Sequence, residues 1–109
     1  MKGWNAKVRY AIAFDLDVEQ LKIHYSSNYN NAYADIKRVF ESFGFLNQQG
    51  SLYFGQSEEE NAVKCMLAVQ TISRQFTWFD VCVRDIRMLR IEDNNDLKPV
   101  LTSNFKQKE

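Results

Sequence analysis

Two cysteines, four glycines, one proline and one histidine are all that this 109-residue chain holds of the residues that most often mark a site or a break. Cys65 and Cys82 are too few, and wrongly spaced, for a zinc ligand set or a C-x-x-C redox pair, and they fit a reduced, intracellular compartment. One histidine, His24, cannot be both acid and base of a catalytic pair. No apolar run approaches the roughly 20 residues that span a bilayer. The opening "MKGWNAKVRY" also lacks the apolar core of a signal peptide, so a soluble cytoplasmic protein without a membrane partner is expected. Net charge is missing as well. Fourteen basic residues balance fourteen acidic ones, so a nucleic acid would have to be held by a local patch. What is present is apolar and aromatic: 45% and 14% of the chain, enough to pack one domain interior and to exclude disorder.

"YAIAFDLD", residues 10 to 17, reads as a strand with two unlike faces. Val8, Tyr10, Ile12, Phe14 and Leu16 point one way and can be buried under helices, while Arg9, Ala11, Ala13, Asp15 and Asp17 point the other. The alanine face leaves room for close approach. A sheet face of that kind must be solvated, occupied by nucleic acid, or covered by a second copy of the chain.

Further along, "AYADIKRVFESFG" repeats Tyr33, Ile36, Val39, Phe40 and Phe43 at helical spacing, with Asn30 or Asn31 to start the helix and Gly44 to end it. "FGFLNQQGSLYFG" reads as a hairpin. Ser57 with Glu60 three residues on resembles a capping box that opens a second helix, whose apolar stripe is read as Val63, Met66, Leu67, Val69 or Gln70, and Ile72. A strand over about 83 to 92 follows an irregular turn, and the polar tail carries a short apolar hook, Val100 and Leu101. The order β-α-β-β-α-β predicts an α+β, ferredoxin-like antiparallel sheet with both helices on one face and the first strand central.

Asp15 and Asp17 end the first strand, where an aspartate commonly caps a turn or pairs with an arginine. Acids from two stacked chains could instead converge on a divalent cation. Arg84, Arg87 and Arg90 lie three apart and could grip phosphate, or pair internally with Asp15 or Asp85; strict alternation puts Arg84 and Arg90 on one face and Arg87 with Asp85 on the other. His24 is expected to be partly exposed, and Cys65 and Cys82 to be core residues. Tyr25, Tyr29, Tyr33 and Tyr53 could stack on bases or fill the interior.

"YAIAFDL" (10 to 16), "QGSLY" (49 to 53), "WF" (78 to 79) and "VRDIRMLRIED" (83 to 93), in that order, resemble the virulence-associated protein D family, VapD, from about Arg9 to Leu101. The resemblance implies a ferredoxin-like fold related to the CRISPR-associated protein 2 nucleases, a homodimer, and endoribonuclease activity, in some members as the toxin paired with a small antitoxin protein. Carried onto this sequence, it implies Asp15 as the catalytic acid, which either ligates Mg²⁺ or positions the attacking hydroxyl. Ser51, Arg84 and Arg87 would then contact RNA, with Asp85 in the same last-strand motif and Asp17 just outside it. The implied boundaries are an N-terminal extension over 1–8, the domain over 9–101 and a polar tail over 102–109. Two other readings remain open: a non-catalytic dimeric module that binds nucleic acid or an antitoxin, favoured by the neutral charge, and a ligand-binding regulatory domain of the same topology.

Overall fold

Four strands form one antiparallel sheet in the order β2-β3-β1-β4 in a computed structural model that describes residues 8–25 and 28–102. The strands are β1 (Arg9–Leu16), β2 (Phe45–Gln49), β3 (Leu52–Gly55) and β4 (Val83–Ile91). Between them lie α1 (Val18–His24), α2 (Asn30–Ser42), α3 (Ala62–Gln75) and a one-turn helix, α4 (Phe79–Cys82). This is the expected α+β, ferredoxin-like arrangement with β1 central, paired with β3 on one side and β4 on the other. Apart from residues 8 and 102, the expected N-terminal extension and polar tail lie outside the described residues.

The two faces of β1 separate as the alternation requires. Ile12, Phe14 and Leu16 are buried with Phe45 and Tyr53 of the hairpin, beneath Ile36, Val39 and Phe40 of α2 and Cys65, Ala68 and Ile72 of α3. The Phe40 ring stands edge-on to Phe14 at 6.0 Å and to Tyr53 at 5.1 Å, geometries that add to the burial of large rings. Ala11 and Ala13 lie on the opposite face between Phe54 and Leu89 and between Leu52 and Arg87. Leu46 joins that face and is 42% exposed. The face is not wholly bare, because Asn94–Leu97 borders it and lines, with Gln48, Gln49, Leu52 and Phe54, an open groove of about 690 Å³.

One helix is additional to those expected, and three local expectations need correction. "VEQLKIH" forms α1, a helix too short to show periodicity, with Leu21 as its one buried side chain. The second long helix starts at Ala62 rather than at Ser57, capped by Asn61, whose side chain accepts from the Lys64 amide. Its stripe is also turned: Cys65, Ala68 and Ile72 are buried, whereas Val63, Met66 and Leu67 are each about half exposed. Small side chains let α3 approach the sheet closely, so its bulkier residues face outward. Val100 and Leu101 are exposed at a single 3-10 turn and do not hook into the core.

Ser57 and Glu60 do bond to each other, but as a clasp ahead of α3. One Glu60 oxygen accepts from the amides of Gln56 (3.1 Å) and Ser57 (2.7 Å) and from the Ser57 hydroxyl (2.9 Å), and the other pairs with Lys64 at 3.1 Å. Burial pushes this carboxyl up, yet the bonds from Ser57 and Lys64 outweigh it and hold the group below its ordinary range. Gly44, at φ +90°, ends α2 directly against it: a Cβ there would lie 2.7 Å from the Glu60 carboxyl carbon.

Candidate functional site

Asp15 is the last residue but one of β1, and the strand ends because Asp17 turns the chain into a helix. The Asp17 carboxylate accepts from the Glu19 amide at 3.0 Å and the Gln20 amide at 3.3 Å, capping α1. Its own amide donates to the Cys82 carbonyl at 2.8 Å, which ties this corner to the start of β4.

The opposing strand is irregular at the same place. Leu16 faces Val83 and Asp15 faces Asp85, so Arg84 has no residue opposite it. This is a β-bulge, which redirects a side chain that plain alternation would send the other way. The Arg84 guanidinium consequently lies 3.5 Å from Asp15 Oδ2 and 3.7 Å from Asp17 Oδ2. Arg84 therefore belongs with the acids and not with Arg90. Arg87, further along β4, bonds through Nε to Asp85 at 3.0 Å, a contact that lifts its pKa further. These side chains are in water's reach: Asp15 is 58% exposed and Arg84 60%.

Ser51 lies on the other side of β1. Its carbonyl accepts the Phe14 amide at 3.2 Å, so the hairpin turn is fastened beside the residue preceding Asp15. Arg90 pairs with Glu92 and stands opposite Tyr10, toward the far end of the sheet. His24 is exposed at the end of α1. Cys65 and Cys82 are free and buried, as expected; burial raises the Cys65 thiol to about 11, and burial followed by the charge of Asp17 raises that of Cys82. Neither is a thiolate nucleophile near neutral pH.

Of the tyrosines, Tyr53 is core, with burial and then the charge of Glu41 pushing its phenol to about 12. Tyr25 donates to Asp35 at 2.6 Å and packs edge-on against Trp78. Tyr33 is partly buried on the first turn of α2, and its phenol is raised by burial and then by the negative charge of Asp15.

Between Asp15 and Asp17, where a divalent ion would be held, the Arg84 guanidinium reaches both carboxylates. Among the described residues no group of three or more His, Cys, Asp or Glu converges as a ligand set. The corner instead offers an exposed carboxylate beside Arg84 and directly across from Asp85, which holds Arg87, so that an oxygen acceptor and guanidinium donors for a phosphate share one end of the sheet.

No helix among the described residues is long and apolar enough to cross a membrane. No family model matches the chain. Full-length relatives do. An "Endoribonuclease VapD homolog" of Helicobacter pylori is 48% identical over 92 residues, covering 84% of this chain and 95% of the relative. "Endoribonuclease VapD 2" of Riemerella anatipestifer is 46% identical over 94 residues, or 85% and 99% of the two chains. "Endoribonuclease VapD" of Dichelobacter nodosus is 40% identical over 92 residues, or 84% and 96%. At such identity over nearly the whole of each relative, the chain belongs to the VapD family.

Proposed function

We propose that the chain is an endoribonuclease that cleaves RNA phosphodiester bonds as a homodimer, and that it is the toxin of a toxin–antitoxin pair. Membership of a family whose relatives carry the name endoribonuclease supports the activity. The observation that carries the assignment to a site is the exposed Asp15 carboxylate at the end of a central strand, beside Arg84 and one position across from the Asp85–Arg87 pair. Asp15 positions the attacking hydroxyl and takes its proton. Arg87 and Arg84 hold the phosphate, and Ser51 contacts the RNA from the hairpin side.

The alanine face supports the dimer. Ala13, Leu52, Leu89 and the half-exposed Leu46 make a surface on which a second sheet can lie, which would bring the two Asp15 residues toward a common axis. The antitoxin is a small protein partner that would block this face or the arginines.

The test compares RNA cleavage by the wild type, Asp15→Ala and Arg87→Ala, each freed of contaminating nuclease. Loss of the proton acceptor should slow cleavage by about 10²–10⁴-fold. Wild-type rates in Asp15→Ala would overturn the site assignment. Salt-dependent binding of RNA without scission by the wild type would favour the non-catalytic module.

A further inference from the structure

The β-bulge at Arg84 interrupts the ladder, and the ion pairs it forms are too long and too exposed to be its main purpose. It leaves one residue of β4 unpaired opposite Asp15 and Leu16. In exchange it creates ion pairs of 3.5 and 3.7 Å between side chains that are 60%, 58% and 33% exposed. Exposed pairs of that length contribute next to nothing to folding. Of the five N–H donors of a guanidinium, this geometry engages two, loosely, with carboxylates, and a side chain 60% exposed keeps donors available to a ligand from solvent.

Two carboxylates drawn toward one cation resemble the protein's share of a divalent-metal oxygen shell. Here the cation is part of the chain. Resting on the endoribonuclease reading above, we infer that Arg84 is the resident cation of this site: it holds Asp15 and Asp17 in place of a divalent ion, bridges Asp15 to the scissile phosphate, and makes cleavage independent of metal. In that reaction Asp15 takes the proton of the ribose 2′-hydroxyl and the freed oxygen bonds to phosphorus. The bond from phosphorus to the 5′-oxygen breaks, and that oxygen takes a proton from solvent while Asp15 later returns its own. The products are a 2′,3′-cyclic phosphate and a 5′-hydroxyl. Arg84 acts on the phosphate directly and on Asp15 as a positioning residue.

Arg84→Ala and Arg84→Lys, each checked for folding by circular dichroism, are compared with the wild type in two measurements. The first is cleavage of an end-labelled RNA with a chelator, with added Mg²⁺, and with non-denaturing guanidinium chloride. The expected result is wild-type cleavage unchanged by the chelator, with cyclic-phosphate ends. Arg84→Ala should fall by about 10²–10³-fold, as when one transition-state donor is removed, with partial recovery by free guanidinium or Mg²⁺ and a smaller loss in Arg84→Lys. A structural role alone would not be rescued by a soluble cation. The second measurement is calorimetric titration of Mn²⁺, which should bind Arg84→Ala more tightly than the wild type and not bind Arg84→Ala/Asp15→Asn. Chelator-sensitive wild-type cleavage that Mg²⁺ restores, or full activity in Arg84→Ala, overturns the inference. If the wild type never cleaves, the endoribonuclease reading fails; Mn²⁺ gained only by Arg84→Ala would still show Arg84 to be the site's cation, and equal Mn²⁺ binding by both would remove that too.

Discussion

Glu60 offers the sharpest test of how the fold is held, because Glu60→Gln and Glu60→Ala remove different parts of one clasp. In Glu60→Gln the amide oxygen can keep the three bonds that converge on a single carboxylate oxygen, from the amides of Gln56 and Ser57 and the Ser57 hydroxyl. The amide nitrogen then faces the Lys64 ammonium, donor against donor, where a 3.1 Å pair stood. Lys64 is 34% exposed and can rehydrate, so the loss should be about 1–2 kcal/mol, at the low end for a bond to a charged group. Glu60→Ala also strips the two amides of their partner; with water entering the vacated space the total should reach about 2–4 kcal/mol. At roughly 4–8 °C per kcal/mol for a domain near this size, the two variants should separate clearly in thermal unfolding. The wild type carries a pH signature that Glu60→Gln lacks. Its folded carboxyl titrates below the ordinary 4.5, so the stabilisation is complete above that value and drains away as pH falls through the lower, folded one. Urea unfolding of wild type and Glu60→Gln from pH 7 down to pH 3 should therefore converge at the acid end. Parallel curves, or a Glu60→Ala no weaker than Glu60→Gln, would refute this account of the clasp.

Gly44→Ala should destabilise by about 1 kcal/mol or more, since its φ of +90° disfavours a side chain and its Cβ meets the Glu60 carboxyl; combining it with Glu60→Ala should cost less than the sum, which a double-mutant cycle in urea measures. Asp17→Ala removes the cap of α1 and should lower stability by about 1 kcal/mol, with faster amide exchange at Glu19 and Gln20. Cys65 and Cys82 should resist a thiol reagent at pH 8 in the native protein and react fully in denaturant, burial holding Cys65 near 11. Leu46→Glu, on the sheet face away from the helices, should halve the mass measured by light scattering while leaving the far-ultraviolet spectrum unchanged; an unaltered mass would remove that face from the proposed dimer.

The parts of the fold that could be read in advance are those where side chains alone set the outcome. The two-faced run Tyr10 to Leu16 specified a central strand, and Ile36, Val39 and Phe40 specified the inner side of α2. The misread stripe of α3 shows the limit of that reasoning. Val63, Met66 and Leu67 are the bulkier residues, but a helix lying close over a sheet already filled by Ile12, Phe14 and Tyr53 has room only for Cys65, Ala68 and Ile72 beneath it. Which stripe turns inward was decided by the depth of the space and not by hydrophobicity. Glu60 was misplaced for a related reason: its partner Ser57 was identified, but the use of that pair to brace Gly44 and Gly55 depends on chain segments that meet only after folding.

The candidate site was legible as a set of residues and illegible as a geometry. Asp15, Asp17, Arg84, Asp85 and Arg87 all stand out in the sequence, yet period-two alternation assigns Arg84 to the helix-covered side with Ile86 and Met88. On that side its charge would sit at the level of the buried Leu16, next to the core, while Asp15, Asp17 and Asp85 would gather on the open face against Arg87 alone. Both placements are unfavourable, and a single extra residue in β4 relieves both at once. The bulge keeps the guanidinium off the helix-covered side and brings it into a group of like charges that would otherwise repel one another, Asp15 and Asp85 being directly opposed across the two strands. An acid can therefore end a buried strand in this chain because its counter-charge arrives from the neighbouring strand at the same level, at the one point where that strand departs from regularity.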